Sequence, residues 1–173
     1  MGKNILIIID AQNDFAYGPL GTKEAREAIP RMKKVLDRYL QSGSHVIFTR
    51  DTHTKEYEFS QEHQFLPVEH CMIGSDGWQI VDELSVETSE NIDIVNKLHF
   101  GYDYWDLYCL DDCNTITIMG FCTDICVITN ALLLKTHFPE VQIYVLADCC
   151  AGTTPEMHEK ALDVMRSCQI NIV

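Results

Sequence analysis

The chain has 173 residues, 46% of them hydrophobic, with 13 Lys plus Arg against 26 Asp plus Glu for a formal charge of −13. That supplies one sizeable core over residues 1–173 and too little chain for a second domain. The acidic balance argues against a nucleic-acid or anionic-membrane partner, and no apolar run reaches the roughly 20 residues of a membrane span.

The run from Asn4 to Ile9 (Asn-Ile-Leu-Ile-Ile-Ile) is apolar on both faces and stops at Asp10, as a strand does in the middle of a parallel sheet. From Thr22 to Gln41 the residues Ala25, Ile29, Met32, Val35, Leu36, Tyr39 and Leu40 recur at helical spacing, and Ser42-Gly43 is a stop signal. His45 to Thr49 reads as a second strand ending at Arg50-Asp51. Residues 52–90 are polar and irregular, with weak order near Trp78 to Val81. So long a loop in a compact domain is usually functional. Asn91 to Lys97 is a third strand, and 103–110 a short helix. Thr115 to Gly120 is a fourth strand and Asp124 to His137 a helix. Val141 to Ala147 is a fifth strand, Pro155 to Ser167 the last helix, and Gln169 to Val173 the sixth strand. The alternation predicts an α/β fold: a doubly wound, six-stranded, mostly parallel sheet with helices on both faces, in three Rossmann-like layers.

Such folds bind ligands beyond the carboxyl ends of the strands, at the point where strand order reverses. The residues there are Asp10, Asp51, Lys97, 121–126 and 148–152. Cys126 follows a strand and a turn and lies in the first turn of a helix, where unpaired N–H groups favour a thiolate and can receive an oxyanion. A carboxylate at Asp10 would exchange a proton with that thiol, and the Lys97 ammonium would stabilise both charged forms. Asp51-Thr-His53 with His70 offers a carboxylate and two imidazoles, a donor set suited to zinc or a related ion; His63 lies in the same loop. Eight cysteines contain no Cys-x-x-Cys pair, which weakens a zinc-ribbon or thioredoxin-type reading. The start of the chain lacks the pattern of a secretory leader, so reduced thiols and a cytoplasmic location are expected.

The segments Ile8-Ile-Asp10-Ala-Gln-Asn-Asp-Phe15, Thr49-Arg-Asp51-Thr-His53, Pro67-Val-Glu-His70-Cys, Lys97 and Gly120-Phe-Cys-Thr-Asp-Ile-Cys126 resemble, in identity and order, isochorismatase-like cysteine hydrolases, the superfamily of the nicotinamidases. The resemblance implies catalytic Asp10, Lys97 and Cys126, and an oxyanion site at the backbone amides of Cys122 and Cys126. It further implies a cis Phe121–Cys122 peptide, and a divalent metal, zinc first, on Asp51, His53 and His70. Relatives of this kind are commonly homo-oligomeric. The nicotinamidase pattern is departed from at Thr52 and at Leu66-Pro67-Val68-Glu69, where those enzymes carry tryptophan, and in the segment after Lys97. Phe15, Phe121 and Tyr102, with Tyr104 and Trp105, are the candidates for an aromatic substrate pocket.

The expected activity is hydrolysis of a small amide through a thioester, with nicotinamide to nicotinate plus ammonia as the leading substrate. One alternative is a metal-free hydrolase of another amide, ureido or carbamoyl compound. Others are a receiver-like signalling module and a thiol redox sensor using Cys122 and Cys126.

Overall fold

A computed structural model describes residues 3–108 and 110–173, which leaves Cys109, one of the eight cysteines and part of the helix expected over 103–110, outside the described residues. Ile5, Leu6, Ile7, Ile8 and Ile9 are at most 2% exposed, each contributing roughly 1.5–3 kcal/mol by burial. A strand so apolar on both faces takes the interior of the sheet. This is β1 (Lys3–Ile9), which pairs in parallel with β2 (His45–Asp51) on one side and β4 (Cys113–Phe121) on the other. With β3 (Ile92–Lys97), β5 (Gln142–Ala151) and β6 (Asn171–Ile172) the six strands run in the order β3-β2-β1-β4-β5-β6, every pair parallel. The expected mostly parallel sheet is therefore wholly parallel. Strand order reverses between β1 and β4. Because parallel crossovers are right-handed, outward winding from that point in two directions places helices on both faces.

α1 (Asn13–Ala16) is a single turn after β1 that the sequence pattern does not reveal. α2 (Lys23–Gln41) buries Ala25, Ala28, Ile29, Met32 and Leu36 along one stripe. Thr22 caps it by accepting from the Ala25 amide at 3.0 Å. The helix runs on through Pro30, so its buried stripe outweighs the roughly 3 kcal/mol that an interior proline costs. The stretch expected to be irregular holds two 3₁₀ turns, Lys55–Phe59 and Asp82–Leu84, and α3 (Gln61–Phe65). Short bridges, Gln12 to Ile80 and His53 to Met72, fasten it to the sheet.

Three expectations need correcting. The helix expected over Asp124 to His137 is a π-helical turn, Thr123–Val127, followed by α4 (Ile128–His137). β5 continues to Ala151 through a register irregularity opposite Ile118–Gly120, so Asp148 lies inside a strand and not after it. The short helix after β3 is instead a pair of 3₁₀ turns, Trp105–Tyr108 and Leu110–Asp112. α5 (Pro155–Ser167) matches the sequence boundaries, with Thr154 as its cap. Among the described residues no helix is long and apolar enough to cross a membrane.

Candidate active site

Asp10 leaves β1 in the left-handed conformation, φ 46°, a region in which Asp is among the few tolerated residues other than glycine. Thr49 of β2 holds it there. The Asp10 amide donates to the Thr49 carbonyl at 3.2 Å and to its Oγ1 at 3.1 Å, while the Thr49 hydroxyl donates to Asp10 Oδ1 at 2.6 Å. Lys97 is the last residue of β3, and its side chain reaches past β2. Its Nζ lies 2.7 Å from Asp10 Oδ2, 3.3 Å from Asp51 Oδ1 and 3.4 Å from Cys126 Sγ, and donates to the His99 carbonyl at 3.0 Å. Asp10, Lys97 and Cys126 are 0%, 2% and 4% exposed. Two strand ends and the turn after a third thus bring a carboxyl group, an ammonium and a thiol together at the switch point of the sheet. The Phe121–Cys122 peptide is cis.

Burial sets the protonation states here. It pushes the Asp10 carboxyl above the usual carboxylate range, and the Asp51 charge adds to the rise while Lys97 opposes it. Burial likewise holds the Cys126 thiol well above its ordinary value; Lys97 pulls it down, and Asp10 and Asp51 push it up. Position at a helix start favours a thiolate, and desolvation works against it. For Lys97 burial works against the charge, yet Asp10, Cys126 and Asp51 outweigh it and keep the ammonium charged.

Beside this group, one ligand atom each from Asp51, His53 and His70 lies within 4.8 Å of the others. Asp51 Oδ2 is 3.1 Å from His53 Nε2 and 3.6 Å from His70 Nε2. His70 Nδ1 pairs with the Val68 carbonyl at 2.9 Å, which fixes the tautomer and leaves Nε2 with a lone pair toward the cluster. Burial raises the Asp51 carboxyl, but the two neighbouring imidazoles and the charge of Lys97 hold it well below the usual range. Glu62 of α3 adds an oxygen 3.8 Å from His53 Nε2 and 3.6 Å from His70 Nε2. Two imidazole nitrogens and one or two carboxylates, all buried or half-buried, suit a divalent cation.

The family model for the isochorismatase domain matches residues 4–173. The chain belongs to the isochorismatase family. Solved structures with the same fold include a nicotinamidase/pyrazinamidase of Bacillus subtilis, at 24% identity and TM-score 0.87 over 99% of each chain. A pyrazinamidase of Pyrococcus horikoshii in complex with zinc aligns at 26% identity and TM-score 0.84 over 99% of this chain and 98% of that one. An N-carbamoylsarcosine amidase of Thermoplasma acidophilum aligns at 23% and 0.78, over 98% and 95%. Comparison with curated protein sequences finds no match.

Not every residue singled out from the sequence reaches the centre of this isochorismatase domain. Phe15 packs edge-on against His70, with ring centroids 5.9 Å apart. Phe121 is buried at the end of β4. Tyr102 instead packs edge-on against Tyr104 and Trp105, and its amide donates to Asn130 Oδ1 at 2.8 Å. Trp105 is core and Tyr104 is surface, at 0% and 59% exposure, so these aromatics do not form one pocket wall. His63 contacts Tyr57 and is not part of the Asp51–His53–His70 cluster. Among the described residues no histidine ring is hydrogen-bonded to Cys126: His158 contacts Thr123, and His99 offers Lys97 only its carbonyl. Two clefts of about 220 and 400 Å³ open elsewhere, one beside Arg31 and His158 and the other beside Asp14 and Asp76.

Sequence reasoning also missed supporting residues. Gln12 brackets the Asp51 backbone: Asp51 N donates to Gln12 Oε1 at 2.8 Å, and Gln12 Nε2 donates to the Asp51 carbonyl at 2.9 Å. The buried Asn130 donates to the Cys126 carbonyl at 2.8 Å. Trp78, far away in the sequence, donates to Thr52 Oγ1 at 2.8 Å and carries the Arg50 guanidinium 3.6 Å above its ring.

Proposed function

We propose that this protein is a cysteine-dependent amidohydrolase that cleaves the C–N bond of a small amide. One observation carries the reading: Asp10 and Cys126, from strands on the two sides of the switch point, both lie within reach of the single Lys97 ammonium. Asp10 Oδ1 is engaged by Thr49, while Oδ2 faces Lys97 and retains a lone pair for a proton. In the proposed reaction Asp10 takes the thiol proton as Cys126 Sγ attacks the amide carbonyl, and the backbone amides of Cys122 and Cys126 hold the oxyanion. The C–N bond breaks as Asp10 returns that proton to the amine, which leaves as ammonia from a primary amide. Water, deprotonated by Asp10, then attacks the thioester, releasing the carboxylic acid and regenerating the thiol. Lys97 keeps its charge throughout and balances Asp10 and the sulfur in turn.

Asp51, His53 and His70 would hold a divalent ion, with Glu62 near enough to join them. Zinc is the first candidate, supported by the donor set and by the zinc complex of the Pyrococcus pyrazinamidase. Held by these residues, such an ion would supply a Lewis-acid position for a ring nitrogen or carboxylate of the substrate beside the thiol. Nicotinamide fits that position and is the leading substrate. A carbamoyl compound is the second, supported by the shared fold of an N-carbamoylsarcosine amidase. The free thiols Cys71, Cys122, Cys126, Cys149, Cys150 and Cys168 suit the reducing cytoplasm.

The test is ammonia release from nicotinamide, pyrazinamide and N-carbamoyl amino acids by wild type and Cys126→Ala. Hydrolysis of at least one compound, falling to background in the variant, is expected. Equal rates in the two proteins would overturn the thiol mechanism. Elemental analysis of the purified protein decides the metal, since one divalent ion per chain is expected.

A further inference from the structure

His158 stands apart from the catalytic group, on α5, yet its Nδ1 shares a 2.8 Å hydrogen bond with Thr123 Oγ1. Thr123 is wholly buried and opens the π-helical turn that contains Cys126. A hydroxyl so buried must find a partner, and the partner here is a side chain whose position depends on α5. The next residue is tied to the same side of the molecule. Asp124 Oδ1 accepts from the Thr153 amide at 2.8 Å, and Oδ2 from the Thr153 hydroxyl at 2.5 Å. Gly152 seats this junction closely: a Cβ there would stand 2.8 Å from both Asp124 Oδ1 and the His158 amide nitrogen. The segment that presents the thiol is therefore gripped at two consecutive residues from α5 and its preceding loop. From α4, Asn130 holds the Cys126 carbonyl.

A π-helical turn is uncommon and is found mostly at functional sites, so its shape needs support from its surroundings. Cys122 immediately precedes Thr123 and Cys126 lies in the same turn, so the directions of their amides follow the path of the turn. Displacing reacting groups by about 1 Å costs about a hundredfold in rate. We propose that His158 is a positioning residue: by holding Thr123 it fixes the turn that aims the thiol and its neighbouring amides at the substrate. The proposal rests on the reading of Cys126 as the nucleophile.

The experiment compares His158→Leu, His158→Asn, Thr123→Val and the double variant His158→Leu/Thr123→Val, using the best amide from the substrate panel. His158→Leu is expected to lower kcat about tenfold to a hundredfold with KM within about twofold, the pattern of a contribution made in the transition state. His158→Asn, whose carboxamide replaces Nδ1 with a group that either donates or accepts, restores most of the loss. Thr123→Val reproduces the loss, and the double variant is no worse than either single one, because both remove the same bond. Alkylation of Cys126 by iodoacetamide, followed by mass spectrometry of its peptide, reads the turn without any substrate. Its rate shifts in His158→Leu and Thr123→Val and returns in His158→Asn. If wild type and Cys126→Ala release ammonia equally, the nucleophile reading fails while alkylation still judges the positioning role. Wild-type kcat and alkylation in His158→Leu, an equal loss in His158→Asn, or losses that multiply in the double variant would overturn the proposal. Should His158→Leu not fold, Thr123→Val decides, and wild-type behaviour in it refutes the role.

Discussion

In the proposed reaction Asp10 and Cys126 are the two ends of one proton transfer, and their surroundings push both toward the protonated form. This fixes the sign of a pH effect. Asp10 must be ionised to act as base, and its carboxyl titrates above the ordinary 3.8. The acid limb of kcat/KM is therefore expected above pH 3.8, with activity lost as pH falls through that limb. Lys97 holds the Asp10 carboxyl down against the larger effect of burial, so Lys97→Met moves the limb to still higher pH as well as lowering the maximum. A limb left in place would separate the two groups. These residues were legible because Asp10 and Lys97 end strands and Cys126 heads the helix after another, positions at the ligand-binding edge of a doubly wound sheet. Thr49 was not legible, since a threonine inside a strand looks like β-sheet material until Asp10 is seen bonded to it.

At the scale of elements, the site is held by side chains that give the sequence no periodic signal. Gln12 joins the loop after β1 to both backbone groups of Asp51 and donates to the Trp78 carbonyl. Gln12→Leu is expected to weaken metal affinity about tenfold to a hundredfold, as loss of outer support for a ligand does; chelator competition measures it. Asn130 links the Cys126 and Phe100 carbonyls to the Tyr102 amide and the Trp105 indole. Asn130→Leu strands several buried groups and should cost about 2–4 kcal/mol, read from the urea midpoint. The six strands and three long helices could be read from apolar runs and from 3.6-residue spacing. Single-turn helices at 13–16, 55–59 and 61–65 are too short to show a period. The end of β5 was hidden because Asp148-Cys149-Cys150 carries no β-branched signature, although its partner strand decides its conformation.

At the scale of the molecule, the loop between β2 and β3 folds back on the sheet through contacts that a cation would complete. An ion bound only by the folded chain stabilises it by mass action, about 2.7 kcal/mol at a hundred times Kd. For a chain of this size that is a rise in Tm of roughly 5–10 °C. Zinc added to chelator-stripped protein should raise the midpoint by this amount, and His53→Ala should abolish the rise. Doubly wound topology was legible because strand–helix alternation leaves few arrangements open. Strand order placed the switch point between β1 and β4, and there the polar strand ends converge.

The ammonium shared by the carboxylate and the sulfur belongs to β3, which among the described residues pairs with another strand of the sheet only through β2. Outermost strands exchange their amide hydrogens and fray at lower cost than central ones. The proposed activity would consequently hang from the margin of the architecture, and gentle warming or dilute denaturant is expected to silence amide hydrolysis while the central strands still stand.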